Sequence, residues 1–482
     1  MGFDISTLLP VMPEIFLLTA TCLILVIDLY LSQENRFFTY GLSLLTLAAT
    51  IAVVLAVGGG PAQTLLHGAY IRDPMGDLLK VALLAVAGFA FLYSRVYLEQ
   101  REMFRGEFYV LSLLALVGMM VMISAGGFLS LYLGLELLAL SLYALVAFDR
   151  RSERGAEAAM KYFVLGAIAS GMLLYGISMI YGATGMLDFA GVARAVASGE
   201  TDRMVLLFGV VFVVIGVAFK FGAVPFHMWA PDVYQGAPVV VVAFLGSVPK
   251  IAAFAMAMRI LVEGLGGLGL GWQGWEGMLI ILAVLSMAVG NIVAIAQTNI
   301  KRMLAYSTIS HVGFILLGIL AGNGAGQSAA MFYAITYALT AVGGFGLLTI
   351  LSRKGVEAEN LHDLKGLNDR SPWLAGMMLL ILFSMAGVPP LVGFFAKLFI
   401  LDALVKADLV WLAVVAVAFS VIGAFYYLRV VKVIYFDKPL TQAPIVSGMD
   451  ARIAISVNGL AMLYYGLFPA SLLAACRVAL GG

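Results

Sequence analysis

The stretch VLLFGVVFVVIGVAFKFGAVPFHMWAP, from Val205 to Pro231, decides the fold. From Val205 to Phe219 it carries no charged side chain, and a run of roughly 20 apolar residues crosses the ~30 Å hydrocarbon core of a bilayer as a helix. Lys220 then stands alone, followed at once by Gly222 and Pro225. Proline removes a backbone donor and frees carbonyls. Backbone groups freed at membrane depth are tolerated only inside protein or beside water. The stretch therefore reads as a broken membrane-spanning helix with an amine at its break.

Runs of the same kind recur outward in both directions. Hydrophobic residues make up 63% of the chain and charged ones only 11%, against about a quarter charged in soluble domains. Helices are expected near 10–31, 37–57, 74–94, 106–124, 127–148, 157–182, 204–231, 237–262, 274–297, 302–322, 327–352, 371–405, 408–436 and 450–476. The fold class is thus an all-α polytopic membrane protein of about fourteen transmembrane helices. The first apolar run follows an acidic start and shows no cleavage pattern, so it reads as a retained helix. With the N-terminus outside, seventeen Lys and Arg residues fall on the cytoplasmic side, among them Arg353 and Lys354, and six on the other. The positive-inside rule then places both termini on the outer side.

Several function classes fall away. The net charge of +1 and the lack of a basic, aromatic-interleaved patch give no argument for nucleic acid. Cys22 and Cys476 cannot supply the four thiolates of an ordinary iron–sulfur cluster, and both read as small buried hydrophobes. Gly264, Gly266 and Gly269 fit G-x-G-x-x-G, but no strand precedes them, so they read as an external loop.

What remains is a set of charges in expensive places. A charge near the bilayer centre costs about 2.5–3.5 kcal/mol on insertion scales. Glu136 is the only charge between Ser124 and Phe148, Lys250 the only one between Val233 and Met258, and Lys397 the only one between Pro372 and Ile400. With Lys220 they form the candidate set. The alternative for each lysine is snorkelling, with the amine stretched back to the interface. Depth argues against it for Lys220, Lys250 and Lys397. It is the preferred reading for Lys80, six residues past Pro74, and Lys161 is intermediate. A structural Glu136–Lys220 ion pair is the other alternative. His311 lies about nine residues, ~14 Å, into its helix. A proton relay and a satisfied core histidine are both open for it. His227 reads as structural, and His67 and His362 as loop residues.

A second break, SMAGVPPLVGFFAKL from Ser384 to Leu398, again pairs glycine and proline with a lone lysine. Two interrupted helices five spans apart suggest an inverted repeat, and paired broken helices point to an ion pathway. The expected organisation is N-terminal helices 1–3 over 1–105, a first antiporter-like repeat (helices 4–8) over 106–263, a second, inverted repeat (helices 9–13) over 274–436, and a C-terminal helix over 450–482.

With these residues in view, the chain resembles the antiporter-like, proton-translocating membrane subunits of bacterial NADH-quinone oxidoreductase, respiratory complex I. The resemblance covers essentially the whole chain. It rests on LYLGLELLALSLYALVAF (Leu131–Phe148), KYFVLGAIASGMLLYGISMIYGATG (Lys161–Gly185), FGAVPFHMWAPDVYQGAP (Phe221–Pro238), NIKRMLAYSTISHVGF (Asn299–Phe314), the Ser384–Leu398 string and FYYLRVVKVIYFDKP (Phe425–Pro439). The family carries Glu on the fifth helix, Lys on the broken seventh, Lys on the eighth and a charge on the broken twelfth. Glu136, Lys220, Lys250 and Lys397 match those positions. Lys rather than Glu on the twelfth helix, after Pro389-Pro390, together with Tyr234-Gln235-Gly236, makes the resemblance one to the subunit N branch. One departure is Val239–Val242, where the family more often shows Thr and Pro, which leaves the bend into the eighth helix open.

The resemblance implies a translocase subunit without redox chemistry of its own. It implies no cofactor in this chain, with NADH, FMN, iron–sulfur clusters and quinone bound by partner subunits. It also implies antiporter-like sister subunits as partners, residence in the bacterial inner membrane and protons as cargo; on the residues' own reading, a proton passes from Lys220 through Lys250 and His311 to Lys397. The alternative is a subunit of a multi-subunit cation/proton antiporter, which would share fold and charges. A solute transporter or channel is disfavoured, because no substrate-shaped polar cluster accompanies the charges.

Overall fold

A computed structural model of the chain describes residues 5–268, 274–352, 357–440 and 445–481. Gly269, Arg353 and Lys354 lie outside the described residues. Helix α1 (Met12–Asp28) and α2 (Phe37–Val57) precede a short hairpin of β1 (Gln63–Leu65) and β2 (Tyr70–Arg72). Then come α3 (Pro74–Gln100), α4 (Gly106–Ile123), α5 (Phe128–Val146), α6 (Glu153–Thr184) and the short α7 (Phe189–Ser198). The first broken helix is α8 (Arg203–Phe221) with α9 (Trp229–Gly236). Next are α10 (Val239–Leu245), α11 (Val248–Ala257), α12 (Trp275–Ala296), α13 (Ile300–Leu320), α14 (Gly324–Leu351) and the single turn α15 (Leu367–Arg370). The second broken helix is α16 (Pro372–Ala386) with α17 (Val392–Lys406), followed by α18 (Val410–Phe436), α19 (Met449–Leu467) and α20 (Pro469–Ala479).

The starts of these helices follow from local chemistry. An orphan N–H at a helix start near lipid needs an acceptor, and short polar side chains supply it. Asp73 accepts from Gly76 N at 2.8 Å before α3, and Ser152 accepts from Gly155 N at 3.0 Å before α6. Asn299 and Asn323 do the same for α13 and α14. The stops differ. Both broken helices end on a glycine in the left-handed region, Gly222 at φ 74° and Gly387 at φ 86°, a conformation that costs glycine least.

Every expected segment is helical. Among the described residues, twelve helices are long and apolar enough to span a membrane, thirteen if α19 and α20, bent by 81°, count as one. The expected segment 371–405 appears as two helices of 15 residues each, the unwound middle falling at Gly387–Leu391. The hairpin and α7, both in connections between spans, were not anticipated. The bend into the eighth helix is settled too. The helix starts directly after Pro238, and the irregularity falls about two turns later, at Gly246 and Ser247. Cys476 is buried, but Cys22 lies on the exposed face of α1, which corrects the expectation for it.

Burial is unevenly shared. The α10–α11 span, α13 and α14 are wrapped on nearly all sides, whereas α1, α2, α6 and α18 show most of their surface outward. One short segment ties this core together at the end of the molecule that carries most of the Lys and Arg residues. Glu357 accepts from the Tyr97 hydroxyl at 2.9 Å and from Val239 N at 2.8 Å. It also lies 3.7 Å from both Lys301 Nζ and the Arg101 guanidinium. Two residues on, Glu359 O accepts from Ile300 N at 2.7 Å. Helices α3, α10 and α13 thus meet on one carboxylate.

Burial pushes the Glu357 carboxyl up, but Lys301 and Arg101 outweigh it and hold it below its ordinary value of 4.5. A carboxylate with a lowered value stabilises the fold above the ordinary value, and that stabilisation fades as pH falls through the lowered one. Thermal unfolding of the purified protein, followed from pH 7 downward, should therefore show an acid-dependent loss that Glu357→Gln removes. Glu357→Ala should cost about 3–5 kcal/mol, as expected when one partner of a buried charge cluster is deleted.

Candidate functional site

Lys220 sits one residue before the end of α8, where Gly222 stops the helix. It is buried and lines a small cavity with Leu135, Tyr143, Tyr162 and Ser170. At about 20 Å3, that cavity has room for one water molecule. Among the described residues, no protein atom hydrogen-bonds the Lys220 ammonium. Glu136, on α5, is the acidic group whose field reaches it. The two do not close into a direct ion pair, so the purely structural pairing fails. One Glu136 oxygen is buried without a hydrogen-bond partner.

Lys250 projects from the first turn of α11 and donates to Phe221 O at 2.7 Å. That carbonyl belongs to the end of α8, so the break supplies the acceptor. A helix C-terminus is also the negative end of its dipole. The same amine lies 5.7 Å from the centre of the Trp229 ring.

Lys397 repeats this chemistry at the second break. Its Nζ donates to Ala386 O at 2.9 Å, at the end of α16, and to Ser420 Oγ at 2.8 Å. The ring of Phe314 lies 5.4 Å away. Phe314 is one turn beyond His311 on α13, which brings the histidine and the lysine into one neighbourhood. His311 is buried, with Nδ1 2.7 Å from the Tyr333 hydroxyl and Nε2 3.0 Å from that of Tyr427. Tyr427 in turn bonds Ser307. A second small cavity is lined by His311, Tyr337, Thr340, Ser384 and Ala396.

The hydroxyl groups around His311 were missed by sequence reading. A signal existed: Tyr333, Thr336, Tyr337 and Thr340 recur at helical spacing along one face of an otherwise apolar α14. His67 and His362 lie in exposed connections, as anticipated. Lys161, nearly half exposed, pairs with Glu157 at 2.8 Å and with Asp232 at 2.9 Å.

Lys80 departs from expectation. It does not snorkel. It is 1% exposed and lies 2.6 Å from the Glu14 carboxylate of α1. Tyr70 donates to that carboxylate at 3.0 Å and accepts from Lys80 at 3.1 Å. Proximity to the helix start suggested escape to the interface, but a partner on another helix holds the amine inside.

Fold and site together define a class: polytopic helical membrane proteins with buried amines at paired helix breaks. Residues 125–423 match the family described as NADH:quinone oxidoreductase/Mrp antiporter, transmembrane. The subunit N of NADH-quinone oxidoreductase from Thioalkalivibrio sulfidiphilus is 56% identical over 98% of both chains. That from Herminiimonas arsenicoxydans is 57% identical, again over 98% of each. A chain of respiratory complex I from Thermus thermophilus superposes with a TM-score of 0.83 at 30% identity, over 96% of this chain and 99% of that one. A chain of the Mrp complex from Dietzia sp. shares the fold, with a TM-score of 0.85 at 20% identity over 99% of this chain and 97% of that one. The chain belongs to the NADH-quinone oxidoreductase subunit N family.

Lys80→Ala leaves Glu14 a lone buried anion and should destabilise the protein by about 3–5 kcal/mol. The double variant Glu14→Gln with Lys80→Met should recover most of that loss. A double-mutant cycle on thermal stability measures both.

Proposed function

We propose that this chain is a proton-carrying membrane subunit of an NADH-quinone oxidoreductase. The observation that carries the reading is the row of amines, Lys220, Lys250 and Lys397, set in or beside broken helices inside membrane-spanning protein. Their partners are neutral oxygens and cavities rather than carboxylates in contact. Lys220 holds its proton while Glu136 is ionised nearby, and displacement of that field releases it toward Lys250. His311 and its hydroxyl partners then hand a proton to Lys397. Moving one charge against 100 mV requires about 2.3 kcal/mol, well within the electrostatic work of such a rearrangement.

The driving energy comes from partner subunits, which would bind NADH, FMN, iron–sulfur clusters and quinone; this chain would bind none of them. The two ends of the row, Glu136 and Lys397, are only half-buried in the isolated chain. Half-exposed charges at membrane depth fit neighbouring membrane subunits better than lipid. The two breaks fit a pair of inverted repeats over 106–263 and 274–436. The Lys and Arg asymmetry favours both termini on the outer side of the bacterial inner membrane. A cation/proton antiporter subunit is the second reading, because the matching family covers both kinds of protein. The names of the relatives at 50–57% identity favour the first.

In proteoliposomes holding the assembled complex, Lys220→Ala and Glu136→Ala should each lower the number of protons moved per NADH oxidised. Wild-type ratios in both variants, with normal assembly, would remove the pair from the path. Purification of the chain with flavin- and iron–sulfur-containing partners separates the first reading from the second.

A further inference from the structure

One face of α6 lines two spaces in succession. Nearest its start, Arg154, Glu157 and Lys161 line a polar vestibule of about 240 Å3, with Asp232 and Gln235 of α9 opposite. Further along, Tyr162, Gly166 and Ser170 line the cavity that holds Lys220. Between the two, α6 and α9 touch in two layers. At the rim, Lys161 donates to Asp232 at 2.9 Å, and Arg302 bonds the other Asp232 oxygen at 2.6 Å. Just inside, the rings of Tyr162 and Trp229 stack at 4.7 Å, with 17° between their planes. Lys161 and Tyr162 are neighbours in sequence, and Trp229 and Asp232 are three apart on one helix, so the two layers open and close together.

The inner edge of the stack is anchored as well. Trp229 Nε1 donates to Phe219 O at 3.1 Å, in the last turn of α8. The Trp229 ring also lies 5.7 Å from Lys250 Nζ.

We infer that the vestibule is the port through which protons reach Lys220, and that the Lys161–Asp232 pair with the Tyr162–Trp229 stack is its gate, held shut by the charge on Lys250. A charged amine over an indole face attracts the ring, and a neutral one does not. When Lys250 is protonated, its attraction holds the indole in the position in which it stacks on Tyr162, and the port is closed. When Lys250 has passed its proton on, that attraction is lost and α9 is released from α6. Water can then enter from the vestibule, and a proton moves from it to Lys220 Nζ. The step that fills Lys250 therefore closes the way back. This rests on the proton-path reading above.

The test uses the whole complex in proteoliposomes, with protons moved per NADH as the readout and Lys220→Ala as the reference. Asp232→Asn and Lys161→Gln break the rim pair from opposite sides, and Lys161 is exposed enough for its substitution to be tolerated. Both should bring the ratio down to that of Lys220→Ala, and Asp232→Glu should restore the wild-type ratio. A purely structural role would change assembly yield but not the ratio in the assembled complex. Wild-type ratios in Asp232→Asn and Lys161→Gln, alongside a lowered ratio in Lys220→Ala, overturn the gate. A wild-type ratio in Lys220→Ala itself overturns the proton path instead.

Discussion

An ammonium group inside a membrane-spanning segment has little water to bind, and an unbroken helix offers it almost nothing. Each carbonyl in such a helix already receives the N–H four residues on. Interrupting the helix creates the missing acceptor. At the end of α8 the freed oxygen of Phe221 takes Lys250, and at the end of α16 the freed oxygen of Ala386 takes Lys397. The chemistry of those partners matters as much as their position. A lysine held by a neutral carbonyl can give up its proton without leaving an anion behind. Lys80 cannot, because its loss would strand Glu14 as a buried charge. The distinction separates the amines suited to carry a proton from the amine that fastens helices together.

The rest of the architecture keeps those two breaks where they are needed. Helices α10, α11, α13 and α14, which carry or flank Lys250 and His311, are the ones most completely enclosed by protein. At one end Glu357 gathers α3, α10 and α13. Near the hairpin, Arg259 is buried and bonds both oxygens of Asp73 at 2.6 and 2.8 Å, fixing the far end of the eighth span to the start of α3. The halves of the broken helices are thus mounted on a frame pinned at both faces.

Much of this was legible in the sequence, for a physical reason. Lipid tolerates so few charges that each lone one marks its own importance, and glycine with proline marks where backbone is freed. Lys220, Lys250 and Lys397 could be picked out on those grounds alone. The same rule misjudged Lys80, because distance along one helix says nothing of what another helix brings alongside. The hydroxyls of Tyr333 and Tyr427 were hidden for the opposite reason. A tyrosine in an apolar helix looks like core until a histidine is found bonded to it. The hairpin and α7 lie in connections, where hydropathy carries no signal.

The two breaks differ in one respect that bears on direction. At the second, the amine that caps the freed carbonyl belongs to the other half of the same broken helix, so that amine has the break's acceptor to itself. At the first, the capping amine comes from α11, and the helix's own Lys220 is left in its cavity without a carbonyl. Two amines therefore share one good acceptor. Like charges in so confined a space disfavour holding two protons at once. On the proposed path, a proton arriving at Lys220 has a better place to go, the site of Lys250, and it can take that place only once Lys250 is empty. A stepwise order is thereby built into the first half of the chain. The second half has a single amine with its own acceptors, Ala386 O and Ser420 Oγ, so on the proposed path it sets no order of its own and takes what His311 delivers.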